Sequence, residues 1–313
     1  FTRIMQGDCS DIQIAALLSA LRLKGETIPE ITGAARAMRQ KAAFIDTGMS
    51  NVLDIVGTGG DSLGTFNIST TACFVASGAG VTIAKHGNRA ISSKSGAADV
   101  LAELGFNLDV EPSVMECCIQ ENGIGFLFAQ KMHPAMRFAG PVRRALKMRT
   151  VFNLLGPLTN PAGARNHLIG VFAPEYTEVF AAVLKSLGSN HALIVHGADG
   201  LDEISPESPT RVCELKGGKI KTFELFPEMI MDEVYPLSDV IGGTPKENAK
   251  ITLDILRGEE RGGKRAVVLL NAGAAIYAAN AAKDIKEGVR KAAESIDSGA
   301  ALKKLELLVE AGK

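Results

Sequence analysis

The first part of the chain alternates hydrophobic and polar positions with the period of an α-helix. Apolar side chains recur at i, i+3, i+4 and i+7 and are Ile14, Leu17, Leu18 and Leu21. Gly25 then supplies a helix stop, and a second helix is predicted from Thr27, which has capping-box spacing to Glu30 and is followed by Pro29 in the first turn. The predicted buried stripe of this second helix is Ile31, Ala34, Ala35 and Met38.

From Val52 onward, short apolar runs alternate with helical stretches, which is typical of a parallel sheet covered on both faces. Strands are predicted at 53–56, 81–84, 125–129, 168–172 and 192–196. Helices are predicted near 69–78, 95–104, 112–122, 134–147 and 175–187, and again near 245–257, 264–280, 284–297 and 299–311. Residues 210–215 and 220–225, joined through Gly217 and Gly218, predict an antiparallel hairpin.

Composition and charge exclude several classes of protein. The chain has 313 residues, of which 46% are hydrophobic and 22% charged, so disorder is excluded as its main state. Its 34 Lys and Arg against 35 Asp and Glu leave a formal charge of −1, so no chain-wide field would attract nucleic acid or an acidic membrane. The longest apolar stretch, 266–282, is interrupted by polar residues and is too short to span a membrane.

The cysteines and the N-terminus bear on the compartment. Five cysteines without a CxxC pair indicate small buried side chains in a reducing cytoplasm. No signal-peptide pattern opens the chain, and because Phe1 rather than Met comes first, we expect that the natural start is missing.

A glycine-rich loop, 57–64, follows the first predicted strand and leads into a helix. Glycines allow backbone N–H groups to approach a ligand, and a helix N-terminus attracts anions, so the loop is either a tight turn or a phosphate site. It has neither the Walker nor the G-x-G-x-x-G spacing. Asn67, Ser69 and Thr70 at the predicted helix start either cap that helix or reach phosphate oxygens.

Two further loops follow predicted strands and complete a candidate site. Between Lys85 and Gly96 the chain carries three cationic residues, one histidine and three serines, which favours an anion pocket over a solvated run of charges. Asp202 and Glu203 would by themselves indicate a polar turn. Beside two phosphate loops, however, they would repel an anionic ligand unless a divalent cation lay between, and magnesium binds through one or two carboxylates plus substrate phosphates.

Five blocks of sequence stand in the order and at the spacing of one known family. They are 57–61, 67–70, 85–89, 151–161 and 202–203. On these blocks the chain resembles the anthranilate phosphoribosyltransferases of tryptophan biosynthesis over essentially its whole length. The resemblance implies transfer of the phosphoribosyl group of 5-phosphoribosyl 1-pyrophosphate (PRPP) to the amino group of anthranilate, with release of pyrophosphate and Mg²⁺ as the cofactor.

The resemblance also implies a fold and an assembly. We expect an α/β protein with a small discontinuous helical domain and a larger α/β domain that has a central, mostly parallel sheet. The expected parts are 1–46 (helical, first part), 47–133 (α/β with the phosphate loops), 134–160 (helical, second part) and 161–313 (α/β with the acidic pair). The expected protein is a cytoplasmic homodimer joined through helical-domain surfaces, without nucleic-acid or membrane partners.

The residues that the resemblance assigns to each ligand fall into three groups. The donor PRPP would be held by Gly57, Gly60, Asp61, Thr65, Asn67, Ile68, Ser69, Thr70, Lys85, His86, Gly87, Asn88, Arg89, Ala90, Ile91, Ser92, Ser93 and Ala97. Anthranilate would contact Gly57, Asn88 and Arg143, with His133 and Pro134 along its route, and the metal ligands would be Ser69, Asp202 and Glu203. Some members have Ser at the position of Ala97, so a side-chain contact is lost there or replaced by backbone.

The chemistry of the reaction agrees with these assignments. Departing pyrophosphate gains negative charge, which magnesium, Lys85, Arg89 and loop amides would stabilise. An aromatic amine is already a competent nucleophile, and the sequence offers no His-carboxylate relay, so we identify no distinct general base. Arg143 is either a surface arginine on an amphipathic helix or a two-donor contact for the carboxylate of anthranilate.

Two alternative functions compete with this interpretation. A pyrimidine nucleoside phosphorylase shares the architecture and a lysine-histidine loop but transfers ribose to phosphate, and the acidic pair with the 67–70 block favours a pyrophosphate donor instead. A non-catalytic relative could bind nucleic acid with the same fold, but the balanced charge argues against it.

Overall fold

Residues 1–40 form three helices and confirm the helical prediction for this part of the chain. The computed structural model describes residues 1–90 and 94–313. The opening helices are α1 (Thr2–Gln6), α2 (Asp11–Lys24) and α3 (Ile28–Gln40). At the start of α3, the carboxylate of Glu30 accepts a hydrogen bond from the backbone N–H of Thr27 at 2.9 Å, as the capping-box spacing predicted. In α2 the helical period predicted from Ile14, Leu17, Leu18 and Leu21 is confirmed; Ile14, Leu18 and Leu21 are buried, whereas Leu17 is 39% exposed.

A mixed sheet follows, and its parallel part was predicted by the alternating apolar runs. The strands are β1 (Leu53–Gly57), β2 (Ile83–Gly87), β3 (Ile124–Phe128), β4 (Asn166–Gly170), β5 (His191–Gly197), β6 (Thr210–Lys216) and β7 (Lys219–Leu225). Their order across the sheet is β3-β2-β1-β4-β5-β6-β7. Strands β1 to β5 run parallel, and the predicted hairpin adds β6 and β7 in antiparallel orientation, with β7 at the outer edge. The loops after β1, β2, β4 and β5 therefore lie at one edge of the sheet.

The bounds of β2 differ from the prediction of 81–84. Lys85 and His86, which we expected in a loop, continue the strand, and each is only 4% exposed. The ammonium group of Lys85 is satisfied inside the protein, since Lys85 Nζ donates to the carbonyl of Ile55 at 2.7 Å. Because Lys85 and His86 are polar, the end of this strand was predicted too early.

Helices connect the strands and cover both faces of the sheet. They are α4 (Ile68–Gly78), α5 (Ala97–Glu103), α6 (Pro112–Asn122), α7 (Ala129–Met132), α8 (Gly140–Leu146), α9 (Phe152–Leu155), α10 (Tyr176–Ser186), α11 (Pro245–Leu256), α12 (Gly263–Ala278), α13 (Ile285–Asp297) and α14 (Ala300–Ala311). Short 3₁₀ helices occupy Pro134–Arg137, Gly156–Leu158, Pro227–Met229 and Leu237–Val240. The single helix predicted over 134–147 is therefore wrong: Pro141 lies in the first turn of α8, because proline fits a helix start but disrupts a helix interior.

The sheet separates two hydrophobic cores. Leu193 and Val195 of β5 belong to one core and Ala192 and Ile194 to the other, as expected from the alternation of side chains along a strand. The second core unites apolar side chains of α1–α3 with those of α8, α9 and α10. The two parts expected for the helical domain thus share a core, while the bounds 1–46 and 134–160 stay a prediction. None of the helices in residues 1–90 and 94–313 has both the length and the apolar character needed to cross a membrane.

Candidate active site

Two glycines at strand ends bring the first and third loops together. Gly57 at the end of β1 pairs with Gly170 at the end of β4. A Cβ on Gly170 would lie 1.5 Å from the backbone oxygen of Asp202, and one on Gly57 would lie 2.9 Å from its carboxylate Oδ2. The segment that carries Asp202 and Glu203 therefore rests directly on these two strand ends, which is possible because neither glycine has a side chain.

The buried acidic pair lies beside a third carboxyl group, that of the half-buried Asp61. Burial, together with the negative charge of Asp61 and a hydrogen bond between the two side chains, raises the pKa of Asp202 to about 7. Burial and the charge of Asp202 raise the pKa of Glu203 to about 8, with Lys85 acting in the opposite direction. One oxygen of Asp61, Oδ2, is buried and has no hydrogen-bond partner. The cluster is therefore short of positive charge.

The N-terminus of α4 lies against this cluster. The backbone N–H of Ser69 donates to the carboxyl group of Glu203, and Lys85 Nζ lies 3.5 Å from the hydroxyl of Ser69. The predicted metal ligands Ser69, Asp202 and Glu203 are thus adjacent to one another. Within residues 1–90 and 94–313, no three His, Cys, Asp or Glu side chains form a metal site alone. The set fits Mg²⁺, which takes one or two carboxylates and completes its oxygen shell from phosphates and water.

Asn67 is held by its neighbours at the start of α4. Its carbonyl Oδ1 accepts from the hydroxyl of Ser95 at 3.0 Å and from the amide of Asn248 at 3.0 Å. Its Nδ2 donates to the backbone oxygen of Ser95 at 3.3 Å. The side chain of Asn67 therefore joins the glycine-loop helix to the loop after β2. Thr70, one turn further on, has a buried hydroxyl without a hydrogen-bond partner, and Thr65 forms an isolated bridge with Ile241.

The second loop is closed by an aspartate that sequence reasoning missed. Asp99 Oδ2 accepts from the backbone N–H groups of Ala90 and Gly96, at 2.9 and 3.0 Å. Its other oxygen accepts from the guanidinium of Arg89 at 3.0 Å. Burial opposes but does not cancel the effect of these hydrogen bonds, so the pKa of Asp99 is lowered. Ala97, the first residue of α5, comes directly after Gly96. The predicted donor residues Ile91, Ser92 and Ser93 lie outside the described residues.

Two buried histidines lie side by side near the predicted acceptor route. The ring centroids of His86 and His133 are 5.0 Å apart, and His86 Nδ1 lies 3.2 Å from the carbonyl oxygen of Gly156. Burial lowers the pKa of His86 to about 3 and that of His133 to about 4. In each ring, Nε2 is buried without a partner. Both rings are therefore neutral at pH 7. Pro134 follows at the start of the adjoining 3₁₀ helix.

Arg143 lies in the last turn of α8, partly buried. Its guanidinium carbon is 5.3 Å from the ring centroid of Phe152, and burial lowers its pKa. Among residues 1–90 and 94–313, we find no hydrogen bond or ion pair to this guanidinium. Asn88, the other predicted acceptor contact, has its Oδ1 occupied by the backbone N–H of Arg89 at 2.8 Å and by Gln130 at 3.4 Å.

Arg149 is another functional candidate that the sequence did not reveal. It follows α8, is exposed, and donates a hydrogen bond from Nη2 to the carbonyl oxygen of Gly60 at 2.6 Å. No spacing motif marks it, because its partners lie on loops distant in sequence. In the sequence, Arg149 is marked only by its position two residues before the 151–161 block.

The fold and the site define a two-domain glycosyl transferase. The glycosyl transferase family helical bundle domain matches residues 1–42, and the glycosyl transferase family a/b domain matches residues 49–302. The chain is 55% identical over 307 residues to an anthranilate phosphoribosyltransferase of Desulfatibacillum aliphaticivorans, covering 98% of this chain and 90% of the relative. It is 53% identical over 310 residues to that of Desulfosudis oleivorans, with coverage of 99% and 91%.

Solved structures agree with these sequence relatives. The anthranilate phosphoribosyltransferase of Thermus thermophilus superposes with a TM-score of 0.95 at 46% identity, over 99% of this chain and 92% of that one. The Saccharomyces cerevisiae enzyme in complex with PRPP and Mg superposes with a TM-score of 0.88 at 35% identity, over 96% and 85%. The chain therefore belongs to the anthranilate phosphoribosyltransferases of this glycosyl transferase family. The resemblance noted in the sequence and the expected fold class are confirmed.

Proposed function

We propose that the protein transfers the phosphoribosyl group of PRPP to the amino group of anthranilate, forming N-(5-phosphoribosyl)anthranilate and pyrophosphate in tryptophan biosynthesis. The observation that carries the proposal is the buried acidic pair, Asp202 and Glu203, set against the glycine loop and the N-terminus of α4. A donor with two phosphate groups and a bound divalent cation supplies the charges that this arrangement lacks. The named relatives, at 53–55% identity, carry the same activity in their names.

The proposed metal ligands are Ser69, Asp202 and Glu203. Bound Mg²⁺ would supply stabilisation of the negative charge that develops on the leaving pyrophosphate. Lys85 lies beside Ser69 and reduces the cost of ionising Glu203. It therefore makes it easier for Glu203 to lose its proton when a cation binds.

The proposed donor site is formed by backbone and short side chains at the sheet edge. Loop N–H groups and the N-terminus of α4 would hold the phosphates, because unpaired backbone donors there attract anions. Arg89 contributes positive charge at the mouth of the second loop, where its side chain is 52% exposed. The donor residues assigned from the family resemblance, Gly57 to Ala97, stay a proposal in their individual roles.

The proposed acceptor site lies toward α8. The guanidinium of Arg143 would bind the carboxylate of anthranilate through two parallel hydrogen bonds. Gly57 and Asn88 would position the ring, and His133 and Pro134 would line its route. Since both His86 and His133 are neutral at pH 7, neither adds a positive charge that would compete with Arg143 for the carboxylate. The amine lone pair is then the nucleophile, with no distinct general base.

Consumption of anthranilate tests the function directly, because anthranilate is fluorescent. With PRPP and Mg²⁺ present, we expect fluorescence to fall as product forms, and we expect excess chelator to stop the reaction. Undiminished turnover in chelator would overturn the metal assignment. Stable fluorescence with PRPP, but consumption of a pyrimidine nucleoside with phosphate, would overturn the proposed function itself.

We propose further that the protein is a cytoplasmic homodimer joined through its helical domain, 1–46 with 134–160. Ile12 and Leu23 on α2 are 82% and 89% exposed. At about 100° per residue, positions eleven apart lie on one helix face, so the two exposed apolar side chains are on the same side of α2. We expect light scattering to give twice the 33.0 kDa chain mass, and Leu23→Glu to yield monomers. A monomeric parent protein would contradict the assembly. Five free cysteines support a reducing compartment.

A further inference from the structure

One contact between the segment after α8 and the glycine loop is not used by the proposed function. Arg149 Nη2 donates to the carbonyl oxygen of Gly60 at 2.6 Å. The guanidinium carbon of Arg149 also lies 4.1 Å from the ring centroid of Phe172, which follows β4. A single side chain thus joins the loop after β1 to the segment after β4.

Both contacts depend on the flat guanidinium group. The guanidinium carbon lies over the Phe172 ring while Nη2 donates to Gly60, and the compact ammonium of a lysine reproduces this pair of contacts less well. Gly60 has φ of +87°, and a Cβ there would lie 2.7 Å from Arg149 Nη2. The loop backbone therefore approaches Arg149 this closely only because residue 60 is glycine.

The contact fixes the direction of one peptide unit of the loop. Because a peptide unit is planar, holding the Gly60 carbonyl toward Arg149 turns the N–H of Asp61 the opposite way. The carboxyl group of Asp61 is in turn engaged by the backbone N–H of Leu63 at 3.2 Å and by Asp202.

Two further hydrogen bonds join the loop after β1 to the end of β4. The backbone N–H of Phe172 donates to the hydroxyl of Thr58 at 3.0 Å, and the N–H of Thr58 donates to the carbonyl of Gly170 at 2.9 Å. Thr58 fixes the start of the glycine loop, and Arg149 fixes its middle. Without Arg149, the peptide between residues 60 and 61 would be free to rotate.

We propose that Arg149 is a positioning residue that holds the Gly60–Asp61 peptide in the orientation that receives the phosphoribosyl donor. The inference rests on the proposed function, in which Gly60 and Asp61 contact PRPP. Arg149 acts on the donor loop and not on the proposed anthranilate contacts. Its loss therefore raises KM for PRPP much more than KM for anthranilate.

The test compares three variants by steady-state kinetics. Arg149→Met removes the charge and the donors but keeps an aliphatic side chain, and Arg149→Lys keeps the charge. Arg144→Met is the matched control, an exposed arginine on α8 outside the proposed machinery. We expect Arg149→Met to raise KM for PRPP at least about 10-fold, the effect of one lost hydrogen bond to a charged group. Arg149→Lys should be intermediate, and the control should match the parent protein.

Several outcomes would overturn the proposal. An unchanged KM for PRPP in Arg149→Met does so, as does an equal rise in KM for both substrates, which would indicate a general structural role. If the parent protein forms no product, the proposed function fails, and calorimetric binding of PRPP decides the inference: weaker binding by Arg149→Met supports it, and equal binding overturns it. If Arg149→Met does not fold, Phe172→Leu replaces it, since this variant removes the stacking face alone. A raised KM for PRPP in Phe172→Leu supports the inference, and an unchanged one overturns it.

Discussion

Arg143 and the acidic pair show opposite imbalances of charge at the scale of single residues. The guanidinium of Arg143 is partly withdrawn from water, with no anion beside it among the described residues, and burial lowers its pKa. Asp202 and Glu203 are buried carboxyl groups with raised pKa values, and the positive charge of Lys85 offsets only part of the shift of Glu203. Because unpaired charges are costly to bury, each of these groups gains from a ligand of the opposite charge.

Replacement of Arg143 should separate the two substrates. We expect Arg143→Ala to raise KM for anthranilate by about 10- to 100-fold, since it removes hydrogen bonds to a charged carboxylate, while KM for PRPP changes much less. Arg144→Ala serves as the control on the same helix. Equal losses for the two substrates would remove Arg143 from the acceptor site.

Replacement of the acidic pair should suppress the reaction. We expect Asp202→Asn with Glu203→Gln to slow turnover at least about 100-fold, equivalent to about 2.7 kcal/mol of transition-state stabilisation. The matched control is Asp232→Asn with Glu233→Gln, an adjacent and exposed pair of the same composition. An unchanged rate at saturating Mg²⁺ in the first double variant would show that Asp202 and Glu203 form only a polar turn and do not bind the metal.

At the scale of elements, the site depends on strands that end in glycine. β1 and β4 end at Gly57 and Gly170, so the carboxyl group of Asp202 can lie against Gly57 and its backbone against Gly170. The same sheet edge receives the N-terminus of α4 through Ser69 and Glu203. The acidic pair is thus held by main-chain packing and not by surface side chains.

A methyl group at one of these strand ends should displace the pair. In Gly170→Ala, the new Cβ would lie 1.5 Å from the oxygen of Asp202, so the backbone must move. We expect a lower midpoint of thermal unfolding and a loss of turnover. Gly33→Ala is the control, because Gly33 lies in the exposed part of α3 and a Cβ there would meet nothing within 4 Å. Normal turnover in Gly170→Ala would show that the pair tolerates a shift of the strand end.

The sequence predicted the elements better than their ends or their mutual contacts. Apolar runs located β1, β3 and the hairpin, and the cap of α3 was found from its spacing. The end of β2 was missed because Lys85 and His86 are polar yet buried. Asp99 and Arg149 were missed for a different reason: each acts on loop backbone brought close only by the fold, which leaves no local pattern.

For the whole molecule, the buried acidic pair should determine how stability depends on pH. A carboxyl group whose pKa is raised on folding stabilises the protein at low pH, and this stabilisation is lost as pH rises through the folded-state pKa. For Asp202 and Glu203, whose folded-state pKa values are about 7 and about 8, the loss begins above the unfolded-state pKa of about 4 and is nearly complete a little above pH 8. Burial lowers the pKa of His86 and His133, so these two residues oppose the loss below about pH 6.5, where only the unfolded chain protonates them. The fall in stability is therefore clearest between about pH 7 and pH 8.

Urea unfolding without metal measures this dependence. We expect the free energy of unfolding to fall from about pH 7 to about pH 8, by less than about 1.4 kcal/mol per pH unit for each group, and to level off by about pH 9. Adding Mg²⁺ or replacing both residues by Asn and Gln should flatten the profile. A profile of the parent protein that is flat or rises over this range would contradict the burial of ionisable carboxyl groups.

The hairpin has a consequence for the behaviour of the protein at high concentration. In the described part of the chain, β7 pairs with β6 on one side and forms the edge of the sheet on the other. Lys219 and Lys221 are exposed on this strand. A second molecule that tried to extend the sheet by docking its own strand would bring these lysines against their equivalents. Mutual repulsion at this edge should therefore protect the chain from aggregation through continuous β-pairing.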